Sequence, residues 1–175
     1  MDTQKKIALN MGLLLGLTLT LLITLIYVID LSLIINGWVL FLNLSFITIF
    51  CSISAYQYKK KLGGFISFKV SFTSFFISLA VGFFISTLFS ILLFNLIDLE
   101  AKTIVTEHVI KYTVEMMQKF GTPAKDINDK INEMRDSNPF GILSQIKGFF
   151  TNLVLYSIIG LIVSLIIKRV PPQSL

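Results

Sequence analysis

The chain of 175 residues has little charge and few side chains suited to chemistry. Asp, Glu, Lys and Arg make up 14% of it, whereas globular domains contain about a quarter. Cys51 is the only cysteine, which excludes an intramolecular disulfide, and His108 is the only histidine. A metal site needs several convergent ligands, and only Glu107 and Glu115 lie near His108 in the sequence. We therefore expect no metal site.

Sequence motifs of enzymes and nucleotide-binding proteins are also missing. There is no Gly-x-Ser-x-Gly elbow, no Walker-type loop and no Rossmann fingerprint, and no second histidine that could serve as a base for a serine nucleophile. We expect no catalytic residue, no cofactor and no enzymatic activity. The net charge of +5 is better explained by Lys and Arg retained on one side of a membrane than by nucleic-acid binding.

Long apolar runs dominate what remains, since 54% of the residues are hydrophobic. A helix needs about 20 apolar residues to cross the hydrocarbon layer, and four stretches qualify: 7–29, 34–56, 70–97 and 149–167. Pro171 and Pro172 are expected to end the last helix. The sequence thus predicts an all-α membrane protein with four transmembrane helices, residues 1–175 forming a single membrane domain.

Small residues recur every four positions within three of these stretches. They are Gly12, Gly16 and Thr20 in the first, Ser74, Ser78, Gly82, Ser86 and Ser90 in the third, and Gly160 and Ser164 in the fourth. On a helix this spacing gives one smooth side against which another helix backbone can approach closely. The pattern favours helix packing, with a polar pore lining as the alternative.

Positive charge is concentrated beside particular stretches. The two termini and the connection after the second stretch carry eight of the fifteen Lys and Arg residues, Lys59, Lys60 and Lys61 among them, but only one acid. The positive-inside rule then places both termini in the cytoplasm. The three consecutive lysines are interpreted as topology determinants, and the alternative is attraction of anionic lipid headgroups at about 1 kcal/mol each.

Residues 99–140 form the one substantial extramembrane part, and they predict a hairpin of two amphipathic helices. Gly121 is expected to stop the first helix, Thr122-Pro123 to start the second, and Asn138-Pro139 to follow its end. The expected apolar stripe of the first helix is Val105, Val109, Tyr112, Met116 and Phe120. The expected i,i+4 ion pairs are Glu107–Lys111, Glu115–Lys119 and Asp126–Lys130. The apolar faces must be buried against each other, the spanning helices, the membrane surface or a partner.

Several short segments resemble an uncharacterised integral-membrane family of Bacteroidota, the domain of unknown function 4199. They are Lys5-Lys6-Ile7-Ala8, Tyr56-Gln57-Tyr58-Lys59-Lys60-Lys61 with the following Gly63-Gly64-Phe65-Ile66-Ser67-Phe68, Asn95-Leu96-Ile97-Asp98, and Gly160 through Lys168. The resemblance implies a Gram-negative inner membrane with the 99–146 side in the periplasm. It brings no catalytic residues, because the family has no assigned activity.

The sequence thus predicts a non-enzymatic interaction or accessory subunit of a membrane assembly. Its expected partners are the lipid bilayer and either another membrane protein or a second copy of the chain, but no nucleic acid. The alternative is a small oligomeric channel or transporter. Ion coupling usually requires ionisable groups within the spans. Here such groups occur only at the edges, as Asp30 and Lys69, and of the four amides Asn10, Asn43, Asn95 and Asn152 all but Asn43 lie near span ends.

Overall fold

The computed structural model describes residues 2–170, which form six α-helices. These are α1 (Thr3–Ile29), α2 (Gly37–Lys61), α3 (Phe68–Leu92), α4 (Leu99–Lys119), α5 (Ala124–Ser137) and α6 (Ile142–Ile167). Extended pairing within these residues is limited to an isolated antiparallel bridge between Ile66 and Arg169. The two prolines expected to end the fourth spanning helix lie outside the described residues.

Four of the helices, α1, α2, α3 and α6, are long and apolar enough to cross a membrane, which confirms the predicted number. α3 continues through a π-helical turn at Leu93–Ile97, giving 30 helical residues. At 1.5 Å per residue this is about 45 Å, longer than a hydrocarbon core of about 30 Å. The four helices indicate a multi-pass membrane protein.

The second spanning helix begins later than the apolar run that predicts it. Residues Leu31–Ile35 form a 3₁₀ turn instead. The Asn36 side chain then accepts a hydrogen bond from the Trp38 N–H at 2.9 Å, which caps the first turn of α2. The cap, and not hydrophobicity, sets this boundary.

α3 lies at the centre of the spanning helices and packs against α1, α2 and α6. The buried core comes from three of them: Leu15 and Leu19 of α1, Ile47 and Cys51 of α2, and Phe75, Leu79 and Phe83 of α3. α6 adds partly buried side chains along one face, whereas Val154 and Ile166 on its outer side are 67% and 77% exposed. Exposed apolar side chains of this kind suit a lipid environment.

Helix direction gives the protein two chemically different ends. α1 and α3 run in parallel, and α2 and α6 run the opposite way. We call one end the basic end. There Lys59 Nζ donates a hydrogen bond to the Ile167 carbonyl at 2.8 Å, and the Gln4 side chain donates one to the Val70 carbonyl at 3.0 Å. The cations of the basic end are Lys5, Lys6, Lys59, Lys60, Lys61, Lys69, Lys168 and Arg169. The other end, which carries α4 and α5, is the hairpin end.

The hairpin is attached to the spanning helices through α4. Ala101 and Val105 are buried against Leu93 and Phe94. Asn95 of the π-helical turn donates to the Phe140 carbonyl at 3.0 Å and accepts from Lys102 Nζ at 3.0 Å. These contacts fix α4 to the end of α3 and to the segment that leads into α6.

The apolar stripe predicted for α4 is only partly buried. Val105 is fully buried, whereas Tyr112 and Phe120 are 39% and 81% exposed. The buried residues of α4 are instead Ala101, Val105 and Ile110, because the first half of α4 packs on the ends of the spanning helices. α5 packs along α4 through Ile127.

Among residues 2–170, the structure does not contain the i,i+4 ion pairs that were expected within the hairpin; it contains two others. Glu107 pairs with Arg135 of α5 at 3.3 Å, and Lys130 pairs with Glu133 at 2.8 Å. The i,i+4 expectation considered each helix alone and therefore missed the pair that α5 forms by folding back on α4. The predicted helix ends at Gly121 and before Asn138 are as expected, with φ values of 72° and 47°. However, Pro123 and not Thr122 occupies the N-cap position of α5.

Asp98 is the single residue between the π-helical turn that ends α3 and the first residue of α4. Its carboxylate accepts from the Ala101 N–H at 2.8 Å and from the Tyr27 hydroxyl at 2.8 Å. The Ala101 hydrogen bond, and next the Tyr27 one, lower the pKa of Asp98 below its ordinary value of 3.8. The charged carboxylate therefore caps α4 and ties it to α1 at the same time.

We predict that Asp98→Asn lowers the thermal stability of the detergent-solubilised protein at pH 7. A carboxyl group with a lowered pKa in the folded state stabilises above its unfolded pKa and loses that contribution as pH falls through the folded pKa. The gap in melting temperature should thus be full at neutral pH and close below pH 3.8. Asp129→Asn, at an exposed position of α5, is the control. A gap that is the same at pH 7 and pH 3 would contradict the assignment.

Candidate functional site

Three of the small residues singled out by spacing lie where α1 and α3 cross. A Cβ atom added at Gly12 would lie 2.8 Å from the Ser78 carbonyl oxygen. One at Gly16 would lie 2.7 Å from the Ile85 Cβ, and one at Gly82 would lie 2.6 Å from a methyl of Leu15. Carbon and oxygen atoms do not approach this closely without displacement, so these positions accept only glycine at the present helix separation.

The serines at the basic end of the same stripe link three helices. Ser74 and Ser78 are fully buried. The Ser78 hydroxyl lies within hydrogen-bond distance of the Ala8 carbonyl of α1 at 2.9 Å, and the Ser54 hydroxyl of α2 donates to the Ser74 carbonyl at 3.3 Å. Gln4 also donates to the Ser74 hydroxyl at 3.1 Å. Sequence reasoning missed Ser54 and Gln4, since neither lies on a four-residue repeat.

Gly160 is a small residue of the fourth stretch that lies close to α3. A Cβ at Gly160 would lie 2.7 Å from the ring of Phe75, so the glycine makes room for that ring. Ser164 is fully buried, and its hydroxyl, like that of Thr20, has no hydrogen-bond partner among the described residues. Gly160 thus leaves space for an aromatic ring of α3. Ser164 and Thr20 act through the small size of their side chains and not through a hydrogen bond.

The remaining predicted residues do not join this contact. Ser86 and Ser90 are half-buried. Of the three lysines, Lys59 donates to the Ile167 carbonyl, Lys60 lies 5.1 Å from the Tyr56 ring centroid, and Lys61 is exposed in the last turn of α2. Lysine at a helix C-terminus complements the helix dipole.

Ser86 instead lines a cavity of about 500 Å³ that opens between α2 and α6 in the half of the protein nearer the hairpin end. We call it the polar cleft. Its polar side chains are Asn43, Ser86, Thr87, Asn152 and Tyr156, and its apolar ones are Leu19, Leu40, Leu44, Phe83 and Phe149. α2 and α6 meet at the basic end through Lys59 and Ile167, and the cleft occupies the space between them farther along.

The polar side chains of the cleft have no hydrogen-bond partner of their own within residues 2–170. By contrast, the hydroxyls of Thr18, Ser45 and Thr48 return to backbone carbonyls four residues earlier, at 2.8 to 2.9 Å. The lining contains amides and hydroxyls, and no Asp, Glu, Lys, Arg or His is among the described residues that form it. The cleft can therefore form neutral hydrogen bonds, but it offers neither a metal-ligand set nor a base of ordinary strength.

Of these five, Ser86 alone belongs to the set of small residues predicted to form helix contacts. Asn43 and Asn152 were visible as amides within apolar runs, but a linear pattern does not show that two helices bring them to the same cavity. Of the described residues, no group of three or more His, Cys, Asp or Glu side chains is placed to hold a metal ion.

The sequence model of one family, described as "Protein of unknown function (DUF4199)", matches residues 10–169. Comparison with curated proteins finds no match, and comparison with solved structures finds none either. The match spans all four apolar helices and the hairpin, which agrees with the resemblance seen in the sequence. The chain therefore belongs to the DUF4199 family of proteins of unknown function.

Proposed function

We propose that the protein is a non-enzymatic interaction or accessory subunit of an assembly in the bacterial inner membrane. The observation that carries this proposal is the construction of the hairpin. Its first helix, α4, is anchored through Ala101, Val105 and Asp98, whereas α5 packs chiefly against α4. α5 is thus held in a fixed position beside the membrane with most of its surface free.

The free surface of α5 is suited to recognition of another protein. Asp126 and Asp129 are exposed there beside Lys125, and Phe120 at the tip of the hairpin is 81% exposed. Exposed charges of both signs and an exposed aromatic side chain are features found at protein contact surfaces. An arm held in a fixed position, with an exposed surface, is suited to binding another protein.

The charge difference between the two ends supports a defined orientation. The basic end holds both termini of the spanning region and the loop between α2 and α3, and it carries eight of the fifteen basic residues of the chain. By the positive-inside rule this end lies in the cytoplasm. The hairpin then lies in the periplasm.

The alternative, a small oligomeric channel or transporter, is favoured by the polar cleft. Amides and hydroxyls at this depth can line a path for a neutral solute. Flux of small neutral solutes into liposomes that contain the purified protein, above the rate for empty liposomes, would favour this alternative.

We predict that the hairpin is accessible from outside the inner membrane. Cys51 is the only cysteine and is fully buried, so a Cys51→Ala background suits labelling. In cells with a permeabilised outer membrane, an impermeant maleimide should label Gln118→Cys before lysis and Leu62→Cys only after it, because Leu62 lies at the basic end. The reverse order of labelling would contradict the orientation.

We also predict that α5 determines which chains co-purify with the protein. Reversing charge with Asp126→Lys and Asp129→Lys should reduce recovery of the main co-purifying membrane protein several-fold in gentle detergent, measured by quantitative mass spectrometry. Glu100→Lys, an exposed charge reversal at the start of α4, is the control and should leave recovery unchanged. Recovery of a monomer alone, or equal recovery from the wild type and the α5 variant, would contradict the proposal.

A further inference from the structure

Three segments that are far apart in the sequence meet at the basic end. The backbones of Ile66 and Arg169 exchange two hydrogen bonds, each at 2.9 Å, which fasten the loop between α2 and α3 to the chain that follows α6. The Lys59 side chain reaches the Ile167 carbonyl from α2 at 2.8 Å. Lys168 and Arg169 are therefore held beside the last turn of α2 and the start of α3.

The positive charge of this end is not balanced by acids of the protein. The basic end carries eight Lys and Arg residues and one acid, Asp2, whereas the other seven basic residues, Lys147 among them, lie toward the hairpin end with nine of the ten acids. Both ion pairs found among residues 2–170 lie within the hairpin. A cluster of Lys and Arg beside membrane helices attracts anionic lipid headgroups. The basic end thus has the charge to hold an anion.

An aromatic ladder, formed by Phe68, Phe72 and Phe76 of α3, leads away from these cations. The rings stack in succession, with centroids 6.2 and 6.0 Å apart. Phe68 is the first residue of α3, and Phe76 is eight residues farther along, about 12 Å deeper at 1.5 Å per residue. The first two rings are half-buried, and Phe76 is 38% exposed. The ladder therefore presents apolar surface that runs from the basic end toward the middle of the membrane.

The cations lie close to the start of this ladder. Lys69 is exposed and lies three residues before Phe72, a spacing that places two side chains on one face of a helix. A Cβ at Gly160 would lie 3.4 Å from the Phe72 ring, so the ladder borders α6. Lys168 and Arg169, both exposed, follow the end of α6. Positive charge thus surrounds the end of an apolar ridge at the membrane surface.

We propose that the basic end binds an anionic phospholipid. Its phosphate lies between Lys69 and the Lys168-Arg169 pair, and an acyl chain follows the aromatic ladder into the membrane. A free phosphate would use the cations but not the ladder, so a lipid is the occupant that both features fit. The site lies at the opposite end of the protein from the hairpin surface, and its test therefore does not depend on the proposed function.

The test uses the full chain in phosphatidylcholine nanodiscs that contain a small fraction of lipid with a diazirine in one acyl chain. Phosphatidylglycerol and phosphatidylcholine probes with identical chains are compared. After photolysis, the phosphatidylglycerol probe should label peptides that contain Phe68–Phe76 at least fivefold more than the phosphatidylcholine probe. Both probes should label peptides around the exposed Leu13 and Leu17 of α1 equally.

Two outcomes of this comparison would overturn the proposal. One is equal labelling of the aromatic ladder by the two probes. The other is loss of the phosphatidylglycerol labelling when inorganic phosphate replaces chloride at the same ionic strength, because the cations would then be a site for a free anion.

Matched variants make the result specific to this cluster. Lys168→Gln combined with Arg169→Gln should reduce the excess labelling by phosphatidylglycerol at least fivefold, since each cation near a headgroup contributes about fivefold. Lys5→Gln combined with Lys6→Gln removes the same charge from exposed positions of α1 and should leave the excess unchanged. Lys69→Gln is a second variant, expected to reduce the excess at least twofold, and retained melting temperatures would establish that the variants fold. An excess that is unchanged in the Lys168 and Lys69 variants, or reduced equally in both double variants, would overturn the proposal.

Discussion

The close approach of α1 to α3 is the contact on which the rest of the structure depends. In lipid, apolar surface gives helices little reason to associate, so packing and hydrogen bonds decide which helices meet. Gly12, Gly16 and Gly82 remove the side chains that would separate the two backbones. The Ser78 hydroxyl then reaches the Ala8 carbonyl at 2.9 Å. Two parallel helices are thereby held in one register.

That register determines what happens at both ends. Because α1 and α3 run in parallel, Tyr27 arrives beside Asp98, whose carboxylate accepts from the Tyr27 hydroxyl and begins α4. The hairpin is therefore placed by the same contact that forms the centre of the spanning region. α6 packs on α3 through Gly160 and diverges from α2 toward the hairpin end, which leaves the polar cleft between them.

The sequence predicts the periodic pattern within each helix, but it does not predict which residues of different helices come into contact. The four apolar stretches predict four spanning helices, because burial in lipid requires about 20 apolar residues each. The spacing of Gly12 and Gly16 indicates a smooth side of α1 but not that Val81 and Ile85 face it. Likewise, Asn43 and Asn152 come together only because of how α2 and α6 diverge. The ion pair between Glu107 and Arg135 likewise forms because α5 folds back on α4. The i,i+4 spacing within α4 had predicted Lys111 as the partner of Glu107.

The most direct measurement is a double-mutant cycle between Gly82 and Leu15. A methyl group at position 82 meets the Cγ of Leu15 at 2.7 Å, so Gly82→Ala alone should destabilise by about 1–3 kcal/mol. In a Leu15→Ala background the same change should cost at least about 1 kcal/mol less, because the contacts with Cγ and Cδ2 are removed, only the Cβ of residue 15 remains close, at 3.1 Å, and alanine favours helix. Reversible unfolding in detergent micelles gives both values. Effects that add to within about 0.5 kcal/mol would contradict the close contact between α1 and α3.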